Sequence, residues 1–239
     1  MVLRPMSKSA TYELLGPAAE LADELLAELQ KDRTRLPVLF PGLPRRFGKE
    51  PIGGGVQKIG AATVDLDAFR VCDLVAVHLA SSIQATDPEL IDLFSHGDIE
   101  ERAMLLRCLS FLPLGGITND LLGEALRTNI VLHLEAAMCD SDLLARAIAA
   151  GVVDADTANR LLLKFAFIDM DLTRAFSAEQ HASETLSTML QDLATEREAA
   201  GCSVGRHTHR MLGRAPRPAA PGRPIGGLAH GADRVRQAA

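Results

Sequence analysis

The chain has 239 residues, a length that suits one domain or a closely packed pair. Its hydrophobic fraction of 47% is ample for a large core, and with only 4% aromatic residues that core must be mostly Leu and Ala, which favours helices over a β-sandwich or barrel. The net charge of -6 argues against a nucleic-acid partner, because such proteins usually present a basic face.

The first half of the chain predicts helices at 12–31 and 69–82, separated by a connector at 36–59 that is rich in Pro and Gly. Asp87 followed by Pro88 predicts the start of another helix, with Asp87 as N-cap. Asp98 and Glu101 have capping-box spacing and predict a helix that runs on to about Leu112.

The second half predicts a turn at 113–119 and then four further helices at about 120–138, 141–150, 156–168 and 177–200. No alternating strand pattern competes with these helices. Short helices joined by short loops pack antiparallel, so the sequence predicts an all-α fold, a stack of antiparallel helical hairpins like a HEAT α-α superhelix. We expect a helical domain at 1–213 and, from its Pro, Gly, Ala and Arg content, a disordered or loosely packed tail at 214–239.

The cysteines and the N-terminus indicate a cellular compartment. Four widely spaced cysteines without a CxxC pair are typical of reduced thiols in a reducing compartment. The first ten residues lack the apolar segment of a signal peptide, and no run reaches the roughly 18 apolar residues of a membrane-spanning helix. These features predict a cytoplasmic protein with no integral membrane segment.

Lys164 is the most informative candidate, because it lies in a segment at 158–168 that would be apolar on every side of a helix. A buried ammonium must reach water, find an anion or lose its proton. Two interpretations stay open: the lysine stem is buried and its charge extends to solvent, or the ammonium faces a substrate anion inside the protein.

The predicted helix at 120–138 places Asn129 and His133 four residues apart, at or beside its apolar face. Both could satisfy buried backbone groups or bind a ligand, and His133 could shuttle a proton. We expect Lys164, Asn129 and His133 to share one interior region. Arg127 and Glu135 lie toward the other side of the same helix.

Other polar groups have simpler interpretations. The basic cluster at 45–49 could hold an anion but is more simply a solvated loop, and the Gly triplet at 53–55 lacks the rest of a P-loop. His207 and His209 could bind a metal only with further ligands. No common catalytic, nucleotide or metal motif is present, so we predict no cofactor and no metal site.

Short pieces of the sequence, in the same order over most of residues 40–205, resemble the EboA family of bacterial proteins encoded with secondary-metabolite genes. These pieces are Pro44 to Lys49, Leu93 to Leu109, Arg127-Thr128-Asn129 with Glu135-Ala136, Asn159 to Lys164, and Glu196 to Gly201. The resemblance implies an all-α fold and a role in making or exporting a small molecule. It carries over a polar set: Arg127, Asn129, Glu135, Asn159, Lys164, Glu196 and Arg197. Arg107 and Glu101 match the family pattern less closely.

The chain departs from the family at three places. Cys139-Asp140-Ser141-Asp142 replaces an Asn-Pro-Tyr-Pro stretch, Ala158 replaces an aromatic residue, and the polar turn after the Lys164 helix is Asp169-Met170-Asp171. These changes indicate a divergent member whose pocket fits a substrate of its own.

Three functions follow from the sequence. The first is an accessory protein of secondary-metabolite biosynthesis or precursor export. Its expected partners are a small-molecule intermediate and other proteins of the same pathway. Its ligand-binding residues would be Arg107, Arg127, Asn129, Asn159, Glu196 and Arg197. The second is a cofactor-independent isomerase, cyclase or lyase acting on an anionic or carbonyl-bearing intermediate, with Lys164, His133 and Glu135 as catalytic residues. The third is a helical scaffold for partner proteins.

Overall fold

The structure is a computed structural model that describes residues 10–176 and 183–212. The predicted tail at 214–239, and the first residues of the helix predicted at 177–200, lie outside the described residues. Within them no helix is both long and apolar enough to cross a membrane.

Helices form nearly all of the regular structure, which confirms the all-α prediction for the described residues. The first are α1 (Ala10–Glu13), α2 (Ala19–Lys31), α3 (Leu36–Leu39), α4 (Leu43–Phe47), α5 (Val71–Ser82), α6 (Asp87–His96) and α7 (Ile99–Cys108). The remainder are α8 (Gly116–Arg127), α9 (Val131–Met138), α10 (Leu143–Ala149), α11 (Ala155–Phe167), α12 (Glu184–Ala199) and α13 (Arg206–Met211). The HEAT-like superhelix stays a prediction.

Side-chain caps fix where several helices begin. Asp98 accepts a hydrogen bond from the Glu101 N–H at 2.9 Å, and Glu101 accepts one from the Asp98 N–H at 3.0 Å, as the capping-box spacing predicted. At α6 the N-cap is Thr86 rather than Asp87, because Glu89 closes a capping box on Thr86 and leaves Asp87 and Pro88 in the first turn. α7 ends at Cys108, and a 3₁₀ turn at Leu109–Phe111 follows it.

The predicted helix at 120–138 is wrong, since two helices occupy that stretch. α8 begins early, at Gly116, within the predicted turn, and ends at Arg127; α9 begins at Val131. Between them the Thr128 hydroxyl accepts a hydrogen bond from the Ile130 N–H at 3.1 Å. This local bond competes with helical hydrogen bonding and ends the helix.

A β-hairpin, β1 (Val56–Ile59) and β2 (Ala62–Asp65), begins at the end of the predicted connector and extends past it. Gly60 has φ of 62° at the two-residue turn, a conformation that suits glycine. The hairpin is attached to the segment after α9, because the Asp65 N–H donates to the Asp140 carbonyl at 2.9 Å and the Asp142 N–H donates to the Thr63 carbonyl at 2.9 Å.

The core is one continuous cluster of buried apolar side chains that extends from Leu15 to Leu193. α7 packs against α5, α6 and α9, and its residues 103–108 are all buried. α11 packs against α8, α10 and α12. This second arrangement positions the candidate site.

Candidate functional site

A groove of about 460 Å³ opens where α11 and α12 meet the loop between α8 and α9. Its volume falls in the range of small-molecule sites. We call it the Lys164 groove; it is lined by Asn129, Arg160, Leu163, Lys164, Phe167, Met189, Asp192, Leu193 and Glu196.

Lys164 is half-buried, and its ammonium donates a hydrogen bond to the Leu126 carbonyl at 2.7 Å. Leu126 lies in the last turn of α8, where carbonyls have no partner within the helix, so the lysine caps that helix and its charge complements the helix dipole. The ammonium makes no other hydrogen bond to the described residues. Two of its protons therefore stay available to a molecule in the groove.

The groove combines apolar and charged walls. Leu163, Phe167, Met189 and Leu193 supply the apolar surface, and Phe167 is 61% exposed. The charged side chains are Arg160, which pairs with Asp156 at 2.9 Å, and the exposed carboxylates of Asp192 and Glu196 on α12. This arrangement can bind an amphipathic small molecule with an anion or carbonyl beside Lys164.

The predicted interior region containing Lys164, Asn129 and His133 is wrong. Asn129 lies in the loop after α8 and is exposed, because the helix that would have turned it inward ends at Arg127. His133 is 1% exposed, and its Nε2 lies 2.9 Å from the Ile99 carbonyl on α7. Burial lowers the pKa of His133, and the neighbouring Arg102 charge acts in the same direction.

The other predicted residues have separate partners. Arg127 pairs with Glu124 on the surface, and Glu135 pairs with Arg174 at 2.5 Å. The Ser183 hydroxyl donates to the Asn159 side-chain oxygen at 3.1 Å, and Arg197 donates to the Phe167 carbonyl at 3.3 Å. Of the carried-over set only Asn129, Lys164 and Glu196 line the groove. The three residues proposed as catalytic, Lys164, His133 and Glu135, are thus each bonded to a different element.

The other motifs lie away from the Lys164 groove, and the basic cluster begins in α4 rather than in a loop. Arg45 and Arg46 are exposed, and Glu101 serves the α7 cap. The Gly55 N–H donates to the Asp67 carboxylate at 3.2 Å, so this backbone donor of the glycine loop is already occupied. His209 is buried, and no group of three His, Cys, Asp or Glu side chains in the described ranges is arranged to hold a metal.

Sequence reasoning missed a chain of alternating charges in the core, which we call the buried ion chain. Arg70 bonds to Glu100 at 2.5 Å and to Asp73 at 3.0 Å; Arg107 bonds to Asp73 at 3.5 Å and to Asp140 at 2.7 Å. Asp73 is fully buried, and Arg70, Arg107 and Asp140 are each less than 10% exposed. Asp73 lies within the apolar run Val71 to Leu79, which is the same sequence signal that drew attention to Lys164.

The molecule is thus an α-helical protein with an open amphipathic groove beside a half-buried lysine. The chain belongs to the EboA family: the family model described as "Metabolite traffic protein EboA" matches residues 65–213. This confirms the family resemblance, and of the sequence pieces only Pro44 to Lys49 lies outside the matched residues. No curated protein and no solved structure matches the chain.

Proposed function

We propose that the protein is an accessory protein of secondary-metabolite biosynthesis or precursor export and that it binds a small-molecule intermediate in the Lys164 groove. The observation that carries the proposal is the Lys164 ammonium, which is held in place by one hydrogen bond and has two further protons beside an apolar wall. The family description, a metabolite traffic protein, supports the same role. Under this proposal the protein binds its metabolite in the cytoplasm, and its partners are other proteins of the same pathway.

The groove favours a ligand with one acidic or carbonyl end and an apolar body. The ammonium is fixed at the end of α8, so a ligand anion gains a charge-assisted hydrogen bond without ordering a mobile lysine. Phe167 and Met189 offer the surface for the apolar body. Asp192 and Glu196 would accept hydrogen bonds from hydroxyl or amine groups of the ligand.

The separation of the proposed acid and base residues favours binding over catalysis. A general acid or base must lie within hydrogen-bond reach of the reacting group. His133 faces α7 and Glu135 is paired with Arg174, whereas Lys164 lines the groove. A binding role requires only the groove itself.

The test is deletion of the gene in its native host, followed by metabolite profiling. An intermediate that accumulates in the deletion strain would identify the metabolite. Complementation with Lys164→Met, which keeps the stem and removes the charge, should fail, and so should Met189→Trp, which fills the groove and changes no charge.

Lys58→Met is the matched control, because Lys58 is an exposed lysine on β1. It should restore the wild-type profile. Each variant is checked for a native circular dichroism spectrum and melting temperature. Full complementation by both groove variants, expressed at the wild-type level, would contradict the proposal.

A further inference from the structure

A second cavity of about 390 Å³ lies on the side of the molecule where the hairpin meets the segment after α9. We call it the Asp140 pocket; it is lined by Val56, Asp65, Cys139, Asp140, Thr173, Arg174, Ala175 and Phe176. None of these residues lines the Lys164 groove. Asp65, Asp140, Thr173 and Arg174 supply polar side chains to this lining.

Asp140 is held rigidly at the pocket. Its side chain is 3% exposed, its N–H donates to the Glu135 carbonyl at 3.0 Å, and its carbonyl accepts from the Asp65 N–H at 2.9 Å. The Oδ2 atom accepts from Arg107 Nε at 2.7 Å. Oδ1 accepts no hydrogen bond from the described residues, so it is the acceptor that this carboxylate offers to a molecule in the pocket.

The ionisable groups of the lining are two carboxylates, Asp65 and Asp140, and one guanidinium, Arg174. Arg174 is paired with Glu135 and also interacts with the Asp140 charge, so the acids outnumber the basic group. Burial raises the pKa of the Asp140 carboxyl, although the Arg107 guanidinium acts in the opposite direction. The ionised carboxylate is therefore incompletely compensated, and a cation in the pocket would stabilise it.

We propose that the Asp140 pocket is a second ligand site, distinct from the Lys164 groove, that binds small molecules carrying a protonated amine through Asp140. The ammonium donates to Oδ1 of Asp140, and Val56 and Phe176 contact the carbon skeleton. Burial raises the pKa of the Cys139 thiol to about 12, which disfavours the thiolate, so we assign this residue no chemistry.

The test is a titration of the ¹⁵N-labelled full-length protein with cyclohexylammonium chloride, followed by the amide resonances of residues 139–142 and 173–176. A ligand with so few heavy atoms should bind with a Kd of about 1–30 mM. Cyclohexanol has the same ring without the charge, and it should bind at least about ten-fold more weakly because it lacks the charge-assisted hydrogen bond. Sodium chloride at equal ionic strength should cause no saturable shift.

Two variants decide where the amine binds. Asp140→Asn keeps an oxygen for Arg107 and removes the charge, and it should weaken amine binding at least about ten-fold. Val56→Trp fills the pocket from an exposed strand position without touching the ion pairs, so it gives a result even if Asp140→Asn does not fold. Val38→Trp adds the same side chain at a position exposed elsewhere and should bind normally.

Lys164→Met should also bind the amine normally, which separates this inference from the proposed function. Equal affinity for cyclohexylammonium and cyclohexanol would overturn the inference of an amine site. So would unchanged binding to Val56→Trp, or the absence of saturable shifts at these amides.

Discussion

Removing the Asp73 carboxylate should destabilise the protein more than removing any surface carboxylate. Asp73 is fully buried and accepts hydrogen bonds from the Arg70 N–H at 2.8 Å and from Arg70 Nε and Nη2 at 3.1 and 3.0 Å. Arg107 Nη1 approaches it at 3.5 Å. Asp73→Ala removes the α5 cap and leaves two buried guanidinium groups short of a partner, which should cost about 3–5 kcal/mol.

The assay is urea unfolding followed by far-UV circular dichroism. A loss of this size is a large part of the roughly 5–15 kcal/mol typical of a native protein. Asp73→Asn keeps one acceptor oxygen for the cap, and it should cost less, about 2 kcal/mol. The control is Asp92→Ala, because Asp92 pairs with His96 on the surface at 53% side-chain exposure and should change stability by less than about 0.5 kcal/mol.

The reasoning would be refuted if Asp73→Ala lost less than about 1 kcal/mol, or no more than Asp92→Ala. That result would mean that hydration of the two arginines compensates for the loss of their bonds to Asp73. A change in the m-value would instead show that the substitution altered the compactness of the unfolded or native state.

Three further predictions concern protonation, thiols and the tail. Burial lowers the pKa of His133 in the folded protein, so as the pH falls below about 6.5 the unfolded chain takes up this proton before the folded chain does. The free energy of unfolding should therefore decrease below about pH 6.5. In His133→Gln, the urea midpoint should no longer show this decrease. Cys202 is exposed whereas the other three cysteines are buried, so a thiol reagent at pH 8 should label one site rapidly in the native protein, and Cys202→Ser should abolish the fast phase; two or more fast thiols would contradict the described packing. Deleting residues 214–239 should change the melting temperature little, because few large apolar side chains are lost; a large drop would show that the tail packs on the core.

The sequence was a good guide to the helices and a poor guide to their interruptions. Apolar periodicity predicted α5 and α11, and cap spacing predicted the start of α7, because these signals are local. The break at 128–130 depends on one Thr128 side-chain bond within an otherwise helical pattern. The attachment of the hairpin to residues 140–142 joins segments far apart in sequence, which no local pattern encodes.

The candidate site was predictable in part. An apolar segment interrupted by one lysine singled out Lys164, and this residue lines the groove. His133, which we expected beside Lys164, instead contacts α7. The helix ends at Arg127, so α9 does not continue the helical face on which His133 was placed. Asp73 and Asp140 come from segments far apart in sequence, and their connection through Arg107 exists only in the folded chain.

The attachment of the hairpin to residues 140–142 has a consequence for how this protein should be dissected. The family match starts at residue 65, the last residue of β2, so the rest of the hairpin lies outside the matched region. A fragment that began there would lose β1 and nearly all of β2, together with buried side chains such as Leu25, Leu29, Phe40 and Leu43. The bounds of the family match are therefore not the bounds of an independently folding unit, and a recombinant fragment of residues 65–213 should aggregate or stay partly unfolded more readily than the full chain.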